Sequence, residues 1–541
     1  MAGSKVDADQ NLRMTEPTQT TDAPQETPKR KPVRWWAAVL IVVLAAVAVI
    51  GIRLWPGISF QQRNIAVAQV VIVSVLLELV WLLFPSRLRW SVRLAVFGGV
   101  VGAIAVTYWL FPIRGVTGDL LPIFEWRWKQ STAQVLPASQ PAPAAAPAKL
   151  VVQTTNDFPQ FLGPDRNCTV VGPTLARDWK AQPPLELWRH PVGAAWSGFA
   201  VQGNVSVTQE QRGEEELVVA YDLLSGKVLW SHADAAHYNT VIAGEGPRAT
   251  PTIRSNRVFT LGATGILNCL DLETGERVWT KDIIKDNNAK VNGWGMSGSP
   301  LLLDQVVVVS AGGPDGRSLV AYEAATGAFV WGGGNGGTDY SSPMLTTLAD
   351  VRQILIFNSK VTAHDAASGK VLWEYPWPGG HPHVAMPVIL PGDHVLVSSG
   401  YGTGSELLQI KKDAEGKWSA ARIWKSIRLK AKFTNVVYRD GFIYGLDDGI
   451  LVCLDATDGA LKWKEGRYGH GQVILSGSLL LVSAESGDIV LVEPVPQDHR
   501  ELTRFTTLHG KTWNPPALAD EFLLVRNDKE AACFRLPVAH P

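Results

Sequence analysis

The chain has 541 residues, with Lys+Arg and Asp+Glu balanced at 50 each, and it is rich in Trp (21), Gly (50) and Pro (34). That length accommodates two or more domains, or one large repeat array with an anchor. A balanced charge excludes the global basic surface of a nucleic-acid binder, and the Gly, Pro and Trp content suits short strands joined by tight turns.

Residues 1–34 are polar and poor in large apolar side chains, the composition of a disordered tail. Three apolar runs follow, 35–55, 65–84 and 94–111, each about as long as a bilayer-crossing helix must be. The first begins too deep for a cleaved signal peptide, and two more follow it closely. Lys29, Arg30, Lys31 and Arg34 precede the first run, and Arg87, Arg89 and Arg93 separate the second from the third, whereas the first loop holds Arg63 with Arg53 nearby. This cation bias predicts a cytoplasmic N-terminus and places everything after residue 112 outside the cytoplasm. The expectation is a multi-pass protein of the bacterial inner membrane with a periplasmic or other extracytoplasmic domain. Glu78, inside the second run, is expected to pair with a neighbouring helix or to reach the nearby interface. Gly98 and Gly102 have the small-xxx-small spacing that permits close helix contact. Residues 113–156 form an extracytoplasmic segment that includes the Pro/Ala-rich spacer "VLPASQPAPAAAPAK".

From 157 to 541 the chain repeats itself. "VAYDLLSGKVLW" (Val219–Trp230) returns as "LNCLDLETGERVW", "LVAYEAATGAFVW", "VTAHDAASGKVLW" and "LVCLDATDGALKW". An aromatic residue ends each unit: Trp188, Trp230, Trp279, Trp331, Trp373, Trp424, Trp463 and Phe505. Units of roughly 40–50 residues with several short strands indicate a propeller. Segments of small residues or Pro that open each unit ("GFAVQG", "ATPTI", "GSPLL", "SSPML", "AMPVI", "TNVVY", "GQVIL", "NPPAL") give the same count of eight. The last unit, from Asn514, is too short for four strands, while "LELWRH" (Leu185–His190) is an outer strand with no unit before it. That N-terminal strand is therefore expected to complete the eighth blade and close the ring. Within each unit the Asp starts a turn, the Gly frees its backbone, and the Trp packs between blades. Cys168, Cys269, Cys453 and Cys533 form no CxxC pair; they are read as core residues, with one structural disulfide as the alternative.

These units resemble the pyrroloquinoline-quinone-like (PQQ-like) propeller repeat, roughly AxDxxTGxxxW, and "DFPQFLGP" (Asp157–Pro164) is similar to the lead-in of such propellers. The resemblance implies an all-β eight-bladed propeller of four-stranded antiparallel blades, here joined to a three-helix transmembrane anchor. It also implies one of two functional classes. Quinoprotein dehydrogenases of alcohols or sugars use the quinone with Ca²⁺ and pass electrons to the membrane; scaffolds similar to the assembly factor BamB do no chemistry.

The loops leading into the innermost strands should meet around the channel, gathering Trp196, Arg248, Trp294, Tyr340, His383, Lys432, His470, Trp513 and Asn514 as a candidate ligand funnel. His381-Pro-His383 lacks further ligands for a metal. No catalytic group, metal site or resident cofactor is expected, because blades this compact leave little room for the elaborations of the dehydrogenases. The preferred reading is a non-catalytic binding or assembly scaffold for an extracytoplasmic protein or a small ligand. PQQ- and Ca²⁺-dependent dehydrogenation is the alternative, and a glycan-binding sensor using the funnel tryptophans is the second.

Overall fold

The structure, a computed structural model, describes residues 32–55, 58–129 and 157–539. Most of the expected tail and all of the Pro/Ala-rich spacer lie outside the described residues. Two compact units result: one holds the helical residues up to Gly51 with Gln69–Ile104, the other Ile52–Ala68 with everything from Ala105 onward.

Three helices, α1 (Trp35–Leu54), α2 (Phe60–Leu83) and α3 (Trp90–Leu110), are each long and apolar enough to cross a membrane. Two begin earlier than the apolar runs. At α2 the reason is a capping box: Ser59 Oγ accepts from Gln62 N (3.2 Å) and Gln62 Oε1 accepts from Ser59 N (2.9 Å), drawing polar residues into the first turn. At α3, Arg93, expected in the loop, sits in the first turn and donates to the carbonyls of Leu83 (2.6 Å) and Leu88 (2.9 Å) around the end of α2. Glu78 Oε1 is shielded and has no hydrogen-bond partner among the described residues. A Cβ on Gly98 or Gly102 would meet nothing within 4 Å among the described residues, so that stripe is open.

The second unit is an eight-bladed propeller of antiparallel four-stranded blades. Blade 1 comprises Ala200–Gln202, Val205–Arg212, Glu215–Asp222 and Val228–Asp234. Blades 2 to 7 repeat this inside-to-outside order, starting at Thr252, Leu301, Met344, Val388, Val437 and Gln472. Blade 8 takes Ala517–Ala519, Phe522–Arg526 and Glu530–Arg535, and Leu185–Pro191 supplies its outer strand in antiparallel register, Trp188 opposite Cys533. The ring is thus closed by the N-terminal strand, and the seam is reinforced by a buried charge. Arg526 of blade 8 donates to Thr208 Oγ1 and the Gln209 carbonyl of blade 1 (both 2.8 Å) and to the Gly193 carbonyl (2.7 Å).

The repeated motif is a joint between blades. Asp222 Oδ1 accepts from Ser225 N (2.8 Å), and Gly226 adopts φ +69° to finish the turn. The indole of one blade then covers the motif glycine of the next. Trp230 donates to the Leu272 carbonyl (2.7 Å) above Gly275, Trp279 to Ala324 (2.9 Å) above Gly327, and Trp424 to Ala456 (3.0 Å) above Gly459. Blade 5 has a longer turn, and Trp373 bonds instead to Gln353 Oε1 (2.7 Å) in its own blade.

In every blade the register between the third and outer strands shifts just before the turn. The Trp therefore faces a particular residue across the strands, which is Cys269, Cys453 or Cys533 in three of the blades. A small apolar side chain fits beneath the indole, and all four cysteines are buried and free. The same register corrects one assignment: in blade 7 the position facing Leu491 is Thr503, while Phe505 lies two residues further on and packs edge-to-face against Trp179.

Candidate functional site: the capped central pocket

Two segments outside the repeats enter the middle of the ring. The lead-in crosses at the level of the inner strands. Phe158 bridges Val201 of blade 1, Arg166 donates to the Ser299 and Pro300 carbonyls (2.8 and 2.9 Å) beside blade 3, and Thr169–Val170 pairs in parallel with blade 7. A hairpin (Ile113–Val116 with Pro122–Phe124) enters at the level of the loops, carrying Thr117–Leu121 at its tip. Gly118 N donates to Glu485 Oε1 (2.9 Å), and the Gly118 carbonyl accepts from Lys432 Nζ (2.5 Å). Asp119 Oδ1 lies 3.1 Å from His470 Nε2, and Lys511 Nζ donates to the Val116 carbonyl (3.2 Å). At the start of α2, Asn64 holds the Asp119 carbonyl (3.1 Å), and Gln61 Oε1 is the second acceptor of Lys432.

Between these segments lies a cavity of about 270 Å³. A run of aromatic contacts forms its wall: Trp196 to Trp513 (5.1 Å), Trp513 to Phe433 (5.0 Å), Phe433 to Trp294 (6.0 Å) and Trp294 stacked on Tyr340 (5.0 Å). Such offset and tilted pairs hold flat faces in fixed positions.

Cations frame this wall. Lys432 Nζ lies 4.9 and 5.2 Å from the Tyr401 and Phe433 ring centres, and burial pulls its ammonium down to about 8. Lys511 Nζ sits 4.6 and 4.2 Å from the Trp196 and Trp513 ring centres, its pKa also lowered by burial. Arg248 reaches the cavity with its guanidinium 4.5 Å over the Tyr238 ring, and desolvation brings it down to about 10. Burial raises the Tyr340 phenol to about 12, so it remains a neutral hydroxyl.

Of the residues expected in the funnel, Trp196, Arg248, Trp294, Tyr340, Lys432 and Trp513 line this cavity. The other three are not among its lining residues, and each has a polar atom bonded outside it. His383 is buried against Phe357 (4.6 Å) with Nδ1 2.8 Å from Asp339 Oδ2. His470 is bonded to Asp119, and Asn514 donates to the Ala195 and Ser197 carbonyls (3.0 and 2.8 Å). Sequence reasoning missed Gln61, Val116–Gly118, Leu120 and Phe161, which carry no repeat signal and join the cavity from outside the blades. The Lys/Arg-rich run Lys425–Phe433 is no free basic patch. Lys425 pairs with Glu406 (3.2 Å), Lys430 with Asp447 and Asp448, and Lys432 points inward.

A quinone with Ca²⁺ requires hard oxygen ligands for the ion and a carboxylate base beside the substrate. No lining side chain is Asp or Glu. Nearby Glu485 is committed to Gly118 N, to Trp513 Nε1 (2.9 Å) and to His470 N (3.0 Å). Among the described residues no group of three or more His, Cys, Asp or Glu is placed to hold a metal ion. The donor set does not fit that cofactor pair.

The family model described as outer membrane protein assembly factor BamB matches residues 125–293 and 214–465. BamB from Moraxella catarrhalis is similar at 14% identity, with a TM-score of 0.47 over 65% of this chain and 100% of its own. Quinohemoprotein alcohol dehydrogenase from Comamonas testosteroni is similar at 12% identity, with a TM-score of 0.52 over 72% of this chain and 82% of its own. That last likeness supports the propeller fold and nothing finer. No curated protein matches this sequence. With more than half of its length covered by the family model and its repeats built into eight blades, the chain belongs to the BamB-type, PQQ-like propeller family.

Proposed function

We propose that this protein is a membrane-anchored, non-catalytic binding propeller whose capped central pocket takes up a small apolar or aromatic ligand, or a projecting group of a partner protein. The observation that carries this reading is the pocket's composition: an aromatic wall framed by cations, with no carboxylate among its lining side chains. Such a site can bind and orient, but it offers no general base for removing a proton from an alcohol or sugar. Arg87 and Arg89 between α2 and α3, with Arg93 in the first turn of α3, favour an orientation with the N-terminus in the cytoplasm and the propeller in the periplasm or an equivalent extracytoplasmic space of a bacterial inner membrane.

The test uses the full-length protein in phosphatidylcholine nanodiscs. Titration with pyrroloquinoline quinone and Ca²⁺ should give no alcohol- or sugar-dependent dye reduction; turnover overturns the non-catalytic reading. Titration with the neutral aromatic probe 2-naphthalenemethanol should show saturable binding that weakens in Trp294→Ala. Absence of saturable binding by any aromatic probe overturns the pocket as a ligand site.

A further inference from the structure

Arg248 is unlike the other cations of the pocket. Lys432 has acceptors in Gln61 and the Gly118 carbonyl, and Lys511 has one in the Val116 carbonyl. Arg248 Nη2 donates to the carbonyls of Ala243 (3.2 Å) and Gly244 (2.7 Å), yet its Nε and Nη1 are shielded from solvent without a hydrogen-bond partner. It is the one side chain among the described residues with two such atoms. Glu216, the acidic side chain whose charge acts on it, is turned to the Ala263 amide (3.1 and 3.2 Å). A guanidinium stays charged at neutral pH and presents only donors, so two shielded N–H groups on a side chain that lines the cavity call for an acceptor that the fold does not provide. Beside them stand the flat faces of Trp196, Trp294 and Tyr340.

Resting on the pocket-binding reading, we propose that Arg248 anchors the anionic head of the ligand, a carboxylate, sulfonate or phosphate, while the ligand's apolar body lies against Trp294 and Trp196. A cavity of about 270 Å³ is the size for one or two fused rings or a short acyl segment. Charge-assisted hydrogen bonds from a desolvated guanidinium make the head group the main determinant of affinity. The same chemistry can be supplied by a soluble aromatic acid or by the head of an anionic lipid.

The experiment titrates full-length protein in phosphatidylcholine nanodiscs by calorimetry with 2-naphthoate and with 2-naphthalenemethanol, its uncharged counterpart. Naphthoate should bind at least about tenfold more tightly. Arg248→Gln should bring naphthoate down to the level of the alcohol, removing the preference for the charged head. Equal affinities in the wild type, or a naphthoate preference that survives in a folded Arg248→Gln, overturns the anchor while the pocket reading stands. Failure of both probes to bind overturns both. Should Arg248→Gln not fold, Arg248→Lys decides: its shorter ammonium should cut the preference severalfold, and an undiminished preference overturns the anchor. Repeating the titration with phosphatidylglycerol in the disc separates the sources. Competition identifies a lipid head and its absence a soluble acid, and either result is expected of an anion-holding Arg248.

Discussion

Asp119 Oδ1 and His470 Nε2 stand 3.1 Å apart, which bonds the segment following the third helix to the loop that leads into the seventh blade. The two residues belong to parts of the sequence with nothing in common: one to a short hairpin outside the repeats, the other to the ring. Together with Lys432, Glu485 and Lys511, His470 gives the hairpin tip a polar socket, and the tip in turn becomes a wall of the pocket.

The fit of that tip can be tested at one atom. A Cβ on Gly118 would stand 2.1 Å from His470 Cδ2 and 2.9 Å from its Cβ, an atom that no ring rotation moves. Gly118→Ala should therefore push the tip out of its socket, at a cost of about 1–3 kcal/mol of local stability. Hydrogen exchange at residues 113–124 should accelerate while the blades keep their protection. Unchanged exchange there means that the socket does not hold the tip.

The blade joint gives a second prediction. Gly275 has φ +73°, and a Cβ there would come 2.5 Å from Trp230 Cε3. Gly275→Ala meets both a strained backbone and the neighbouring indole. Trp230→Ala leaves a cavity between two blades and strands the Leu272 carbonyl, so it should cost about 3–5 kcal/mol. Trp230→Phe, which loses the N–H and part of the ring, should cost less. Chemical denaturation of the three variants should give Trp230→Ala a clearly larger loss than Trp230→Phe; equal losses would mean that the indole contributes only its hydrogen bond.

The ring was legible in the sequence because its signal is local. Asp222, Gly226 and Trp230 lie within one turn and two strands, and each has a job that only a few residue types can do. Blade 7 escaped that logic: its motif has decayed, and the aromatic residue nearest the expected spacing, Phe505, is not the one in register. The pocket was half legible. Trp196, Trp294 and Trp513 could be placed because loops into inner strands must converge on the axis. No such rule brings Gln61, Gly118 or Phe161 to the same place, since their approach depends on long-range hydrogen bonds. His383 and Asn514 do not line the cavity, and residue type alone does not say whether a polar side chain faces it or serves a neighbouring group.

The closure seam supports a third prediction. Arg526 is 1% exposed, and its charge helps hold the buried Glu210 carboxyl below the usual range, where desolvation alone would raise it. Arg526→Met removes three hydrogen bonds across the joint between blades 8 and 1 and leaves Glu210 with Arg212 as its cationic neighbour, beside the Tyr221 hydroxyl and the Gly193 amide. Breaking a buried charge cluster from one side costs about 3–5 kcal/mol. The expected result is a lower denaturation midpoint together with early proteolytic release near Leu185–Pro191. A midpoint equal to that of the wild type would show that strand pairing alone closes the ring.

Glu216 should give the propeller a pH signature of defined sign. It is 4% exposed, and burial raises its carboxyl to about 7, the Ala263 amide and Arg248 opposing the shift and Asp234 adding to it. In the unfolded chain the same group titrates near its usual value of 4.5. Between those two values the folded protein binds the extra proton, so this group's contribution falls as pH rises from about 4.5 to about 7 and is constant above. At about 1.4 kcal/mol per pKa unit, the loss amounts to roughly 3 kcal/mol. Glu216→Gln keeps an acceptor for the Ala263 amide but carries no charge. Relative to the wild type it should raise the melting temperature at pH 8, and the gain should shrink toward zero near pH 5. Thermal unfolding of both proteins across that range reads the difference directly. A gain of equal size at pH 5 and pH 8 would trace it to packing around Gly262, whose Cα faces this carboxylate, and not to titration.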